Sequence, residues 1–170
     1  MGIEVIPHNT VSNSADEPDL RDLFLFSVGN RTFGVPAEEV DGTAEAKPPA
    51  PLPRAPRCIL GVVYARGRML TLFDPLVLTT GGDPSGEPLH NDTIICLRGD
   101  EQLSLAAESI GGTITISSAD IEPISNGSES EGSSAIAGIL RHGGQEITIL
   151  DPRRLFTAAV YRKDRRRRRI

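Results

Sequence analysis

The chain repeats itself, and that repetition restricts the folds open to it more than any other feature. With an offset of 70, residues 23–43 fall on residues 93–113: Gly29 meets Gly99, Ala37 meets Ala107, Glu38 meets Glu108, Gly42 meets Gly112 and Thr43 meets Thr113. In that register Phe33 and Val35 fall on Leu103 and Leu105, and Val40 falls on Ile110. With an offset of 77, residues 59–78 fall on residues 136–155, and Ile59, Gly61, Gly67, Thr71, Asp74, Pro75 and Leu78 all meet identical residues. The order of these matches along the chain makes them a duplication rather than chance.

Each copy carries strand signals. Leu23–Val28 reads as a buried strand stopped by Gly29-Asn30, and Arg31–Val35 can return beside it. Ile59–Tyr64 and Met69–Phe73 flank Arg66-Gly67, Thr93–Leu97 and Gln102–Ala106 flank Gly99-Asp100, and Ile136–Leu140 and Glu146–Leu150 flank His142-Gly143-Gly144. Thr113–Ser117 alternates polar and apolar residues with the period of two of a half-buried strand. Helical signals are short. The clearest follows Asp151, where an N-cap is succeeded by Pro152 at the first helical position. Units of about five short antiparallel strands close most readily as small barrels, which removes exposed sheet edges.

The expectation is therefore an all-β fold of two similar barrels, the first near residues 20–80 and the second near 90–157, with strands free to exchange between them. A flexible leader, residues 1–19, precedes them, and a basic tail, residues 158–170, follows. The connections fit this division. Thr79–Asn91 is rich in Gly and Pro, and Ser125–Ser134 is polar and low in hydrophobicity. Lys47–Pro56 carries five prolines and reads as a rigid surface connector pinned at both ends.

Composition narrows the function. With 4% aromatic residues and no Trp, the core must be built from Val, Ile, Leu and Ala. Cys58 and Cys96 sit in apolar stretches and read as small buried hydrophobes. The N-terminus has no export signal and no 18-residue apolar run occurs, so a cytoplasmic location is expected. The last ten residues hold seven basic residues and one acidic residue, so of a net −5 the tail carries +6 and the remaining body −11. An acidic body repels phosphate backbones. That leaves only the run Arg165, Arg166, Arg167, Arg168 and Arg169 as a polyanion contact, for nucleic acid or anionic lipid.

Enzyme constellations are absent from the sequence. His8, His90 and His142 are scattered without metal-ligand spacing, and no phosphate-binding Gly-rich loop or nucleophile elbow occurs. Asp74 and Asp151 stand at equivalent repeat positions, each before Pro, and read as helix caps rather than as an acid–base pair. No catalytic residue, metal or cofactor is expected.

One family fits the remaining pattern. Leu23–Gly29, followed by Phe33-Gly34-Val35 and Val40, then Leu52-Pro53-Arg54-Ala55-Pro56, Ile59–Gly67 and Leu70–Asp74, resembles the opening of a CheW-like domain. Ala106–Ile110, Asp120-Ile121-Glu122-Pro123, Ile136–Ile139 and Ile147–Leu155 are similar to its second half. The Arg66-Gly67 block is the most specific part, although Tyr64-Ala65 replaces the family's Asn-Leu and Gly42 replaces its acidic residue. The resemblance implies two SH3-like five-stranded barrels and a non-enzymatic adaptor. Such an adaptor binds the regulatory domain of a chemotaxis histidine kinase and the cytoplasmic tip of a chemoreceptor, the latter through an apolar groove between its barrels. It further implies partner-binding roles for Val40, Arg66, Gly67 and Ile94. A divergent module serving a kinase outside chemotaxis, and a small-barrel nucleic-acid binder using the Arg tail, are the alternatives.

Overall fold

The computed structural model describes residue 2 and residues 17–80, 91–124 and 135–159. The linker at 81–90 with His90, the joining loop at 125–134 and His8 lie outside the described residues. So do all five arginines expected as a polyanion contact, Arg165, Arg166, Arg167, Arg168 and Arg169. The strands are β1 (Leu20–Val28), β2 (Arg31–Pro36), β3 (Val40–Glu45), β4 (Ile59–Ala65), β5 (Arg68–Phe73), β6 (Thr93–Leu97), β7 (Leu103–Ala107), β8 (Ser109–Ser117), β9 (Ile121–Glu122), β10 (Ile136–His142) and β11 (Gln145–Leu150), with helix α1 (Pro75–Thr80) after β5. None of the described helices is long and apolar enough to cross a membrane.

Two sheets form, in the orders β8-β1-β2-β11-β10-β9 and β3-β6-β7-β5-β4. Under the repeat, β1, β2, β3, β4 and β5 correspond to β6, β7, β8, β10 and β11, so the two orders are the same order. Each sheet nevertheless draws on both copies: the β1–β2 hairpin joins β10 and β11, while β6–β7 joins β4 and β5. The joints are parallel and in the same register, Thr148 opposite Phe33 in one and Thr71 opposite Leu103 in the other. The duplication is thus expressed as two barrels interlocked by a strand exchange.

Each sheet curls closed by bending its first strand around to meet the far edge. β8 passes through a 3-10 turn at Ser118–Asp120 into the two-residue β9, which pairs with β10. Beyond β3, Ala50 and Val62 exchange two backbone hydrogen bonds of 2.8 Å. The two closures are equivalent, because Glu122 lies opposite Ile139 just as Ala50 lies opposite Val62. The proline-rich insert is thereby tied into the barrel wall. Gly61 and Gly138, identical in the repeat, stand at these seams. A β-carbon on Gly138 would meet the Glu122 carbonyl at 2.9 Å, and one on Gly61 would collide with the Ala50 carbonyl.

Three apolar clusters explain why several strands read as unbroken hydrophobic runs. Along β6, Ile94 and Cys96 enter the interior of the five-stranded barrel, whereas Ile95 and Leu97 enter a core between the barrels. Along β1, Leu23 enters the interior of the other barrel, whereas Phe26 and Val28 join the shared core. These strands are covered on both faces, so no polar alternation survives. Phe26 and Phe33 stack there with ring centroids 5.6 Å apart. Val77 and Leu78 of α1 complete the same core, together with Leu155, Ala158 and Ala159 of the C-terminal helical segment, which carries the packed chain to residue 159.

Asp74 and Asp151 both act as caps. The Asp74 carboxylate accepts from the Leu76 and Val77 amides at 2.9 and 3.3 Å, and Asp151 accepts from the Arg153 amide at 3.0 Å. Their own amides donate to the carbonyls of Cys58 and Ala135, again equivalent positions. Pro152–Arg154 is a 3-10 turn that leads into a helical segment at 155–159. Cys58 and Cys96 are both buried, and no disulfide joins them.

Candidate functional site

The β4–β5 hairpin turns through Arg66 and Gly67, whose φ angles are +50° and +77°. Positive φ at both central residues is the two-residue turn whose twist matches that of its flanking strands. The equivalent turn in copy two is Gly143-Gly144, at +57° and +77°. An arginine therefore occupies a left-handed position that costs an L-residue about 1–2 kcal/mol, where glycine serves in the other copy.

From this turn the Arg66 guanidinium lies over β3. Its Nε is 3.5 Å from Asp41 Oδ2, and Gly42 leaves the space it fills. Two further arginines reach the same carboxylate: Arg68 at 3.6 Å and Arg98, just beyond β6, at 3.9 Å. Arg68 also donates to the Leu97 carbonyl at 2.9 Å. Three guanidiniums thus share one carboxylate, leaving a local charge of +2 at the open end of the five-stranded barrel. These pairs are partly solvated, and such pairs contribute at most about 1 kcal/mol each. They order the arginines more than they hold the fold.

Beneath the cluster, Cys96 lies opposite Gly42 in the β3–β6 ladder. Burial pushes its thiol up and outweighs the lowering pull of Arg66 and Arg68. Among the described residues, no His, Cys, Asp or Glu side chains gather into a metal site.

The four residues that the resemblance singles out separate into two kinds. Arg66 and Gly67 stand on the surface at the turn, with open space around Gly67. Ile94 is fully buried in the five-stranded barrel, and Val40 is buried in the core between the barrels. Sequence reasoning missed Asp41, Arg68 and Arg98. A signal for them existed: in the repeat they fall on Gly111, Gln145 and Val28, so the charged cluster is where the two copies part. It also missed an open groove of about 1100 Å³ at the end of the six-stranded sheet, lined by Leu20, Asp22, Pro36, Glu38, Ile121 and Asp151 among others. These residues come from distant segments, and nothing in their spacing announces the groove.

A family model for the CheW-like domain matches residues 22–160. Protein FrzA of Myxococcus xanthus is 29% identical over 143 residues, covering 84% of this chain and 89% of FrzA. Chemotaxis protein CheW of Rhizobium meliloti (strain 1021) is 27% identical over 132 residues, covering 77% and 84%. The crystal structure of the scaffolding protein TtCheW from Thermoanaerobacter tengcongensis superposes with a TM-score of 0.66 at 21% identity, over 83% of this chain and 90% of that one.

Proposed function

This chain belongs to the CheW-like domain family, and from that premise we propose that it couples chemoreceptors to a chemotaxis-type histidine kinase by binding both. At the coarser level it is a CheW-like scaffold of chemotaxis signalling, alongside the CheW and FrzA relatives. One observation carries the finer reading. Arg66 occupies a left-handed turn position that the same turn in the second copy gives to glycine. A residue held against backbone strain points to a task other than making the turn. Arg66 and Gly67 contribute contact surface, with several directed donors on the guanidinium. Ile94 and Val40 act from within, Ile94 by packing β6 inside the five-stranded barrel and Val40 by packing β3 in the core between the barrels.

Co-purification with the histidine kinase encoded in the same genome, at low salt, tests this reading. Retention of the kinase on the immobilised chain is expected, and no retention at low salt overturns it.

A further inference from the structure

We propose that the basic C-terminal segment, residues 160–170, docks on its own chain, in the groove at the end of the six-stranded sheet. Its arginines pair there with Asp22, Glu38 and Glu39, so the run that the sequence offers to polyanions is held against the protein instead. Such docking does not depend on the adaptor reading above.

The groove has the lining that arginine side chains suit. Five carboxylates and two guanidiniums border it, a net charge of −3. Both guanidiniums are committed, Arg21 to Asp19 at 3.1 Å and Arg153 to Asp151 at 3.3 Å. That leaves Asp22, Glu38 and Glu39. Asp22 accepts from the Thr115 hydroxyl at 2.6 Å through one oxygen, and the other is left for a cation. The Glu38 and Glu39 carboxylates have no ion pair among the described residues. In the repeat Glu39 falls on Ser109, so the fold does not require the doubled acid after β2. Leu20, Pro36, Ile121 and Pro123 add apolar surface to the same groove, and Leu20 is 60% exposed. Arginine lays its aliphatic stem on such surface while its head stays with the carboxylates, where forked pairing adds direction.

The occupant follows from charge and reach. Residues 161–170 carry +6, and the rest of the chain carries −11. The described chain ends at residue 159, six residues beyond Arg153 in the groove wall. At the rise of 3-10 and α-helical backbone, those six residues lead it about 9–12 Å away. The eleven residues that follow can span about 36 Å, so the arginines reach back with chain to spare. Tethering over so short a distance gives an effective concentration of the order of mM. Ion pairs too weak to hold a free peptide firmly then suffice. Any outside polyanion, or the same segment of another copy, has to compete with this local supply.

The test compares amide NMR spectra of the full chain as wild type and as a variant carrying Arg165→Gln through Arg169→Gln, with thermal melts to verify folding. At about 20 mM NaCl the two are expected to differ at residues 20–22, 37–39 and 121–122, and nowhere else outside the segment itself. At about 500 mM NaCl the differences should vanish, because charges are then screened within about 4 Å. In a second arm, a synthetic peptide of residues 160–170 is added to the glutamine variant. It should shift the same amides, and adding Glu38→Lys/Glu39→Lys should weaken it at least tenfold. Identical spectra at low salt overturn the inference, as do differences confined to other parts of the surface. A peptide that binds equally well with and without the lysines also overturns it. Differences that fade on dilution overturn it in favour of the same segment from a second copy.

Discussion

The Arg66 guanidinium occupies the space that a side chain at position 42 would need: a β-carbon on Gly42 would stand 2.6 Å from Arg66 Cζ. The obstruction is the far end of a flexible side chain, so it can move aside without disturbing the backbone. Gly42→Ala is therefore expected to change unfolding free energy by less than about 1 kcal/mol. It should displace Arg66 and weaken kinase binding severalfold. Urea unfolding alongside a binding titration checks this, and a large stability loss with intact binding would contradict it.

Arg66→Gly should separate strain from function. Glycine removes the left-handed penalty of about 1–2 kcal/mol but adds about 0.5–1 kcal/mol of unfolded-state entropy. The variant is expected to range from neutral to about 1.5 kcal/mol more stable, and to bind the kinase less well. A marked loss of stability would make Arg66 a structural residue.

The barrel seams should be intolerant. Gly61 has φ +142°, and its added β-carbon would strike backbone rather than a movable side chain. Gly61→Ala is expected to cost about 2 kcal/mol or more, from backbone strain and the lost hydrogen bonds between Ala50 and Val62. Gly138→Ala should cost less, because φ there is not left-handed and part of the clash is with the Ile121 side chain. Chemical denaturation of both variants ranks them.

Asp74 should make stability fall with rising pH. Burial raises its carboxyl above the ordinary 3.8, against the lowering pull of the Val77 and Leu76 amides. The folded chain then holds this proton to higher pH than the unfolded chain. Its stabilising contribution is full below about pH 3.8 and is lost as pH climbs through the raised value. Asp74→Asn keeps a capping oxygen and cannot ionise, so the variant should gain on wild type as pH rises from about 4. Asp74→Ala should lose about 1 kcal/mol relative to Asn by removing the cap. Unfolding curves at several pH values decide it, and an Asn variant that loses ground as pH rises refutes the assignment.

The interlock predicts that neither copy folds alone. Residues 1–85 lack the β10–β11 partners of β1 and β2, and residues 86–170 lack the β4–β5 partners of β6 and β7. Each fragment is expected to show little sheet by circular dichroism, and an equimolar mixture should recover it. Cooperative unfolding of either fragment by itself would contradict the exchange.

The repeat, the hairpin turns and the two Asp-Pro caps were legible in the sequence because each depends on neighbours along the chain. Glycine at positive φ and a carboxylate before proline are local signals. The largely apolar run at Leu23–Val28 also marked a buried strand. The partners of the strands were not legible. Joining β2 to β11 rather than to β5 is a choice between two nearly equivalent copies, and sequence similarity cannot separate equivalents.

The same limit governed the site. The family resemblance pointed to Arg66-Gly67, and the repeat sets glycine against that arginine in the other copy. It took the tertiary structure to bring Asp41 and Arg98 from two distant segments to the hairpin that carries Arg66 and Arg68, and to bury Ile94 and Val40 in two different cores. Local backbone chemistry decided which elements form. Closure of the five-stranded barrel decided which charges meet at its end, because only a curled sheet carries the β3 and β6 ends to the β4–β5 turn.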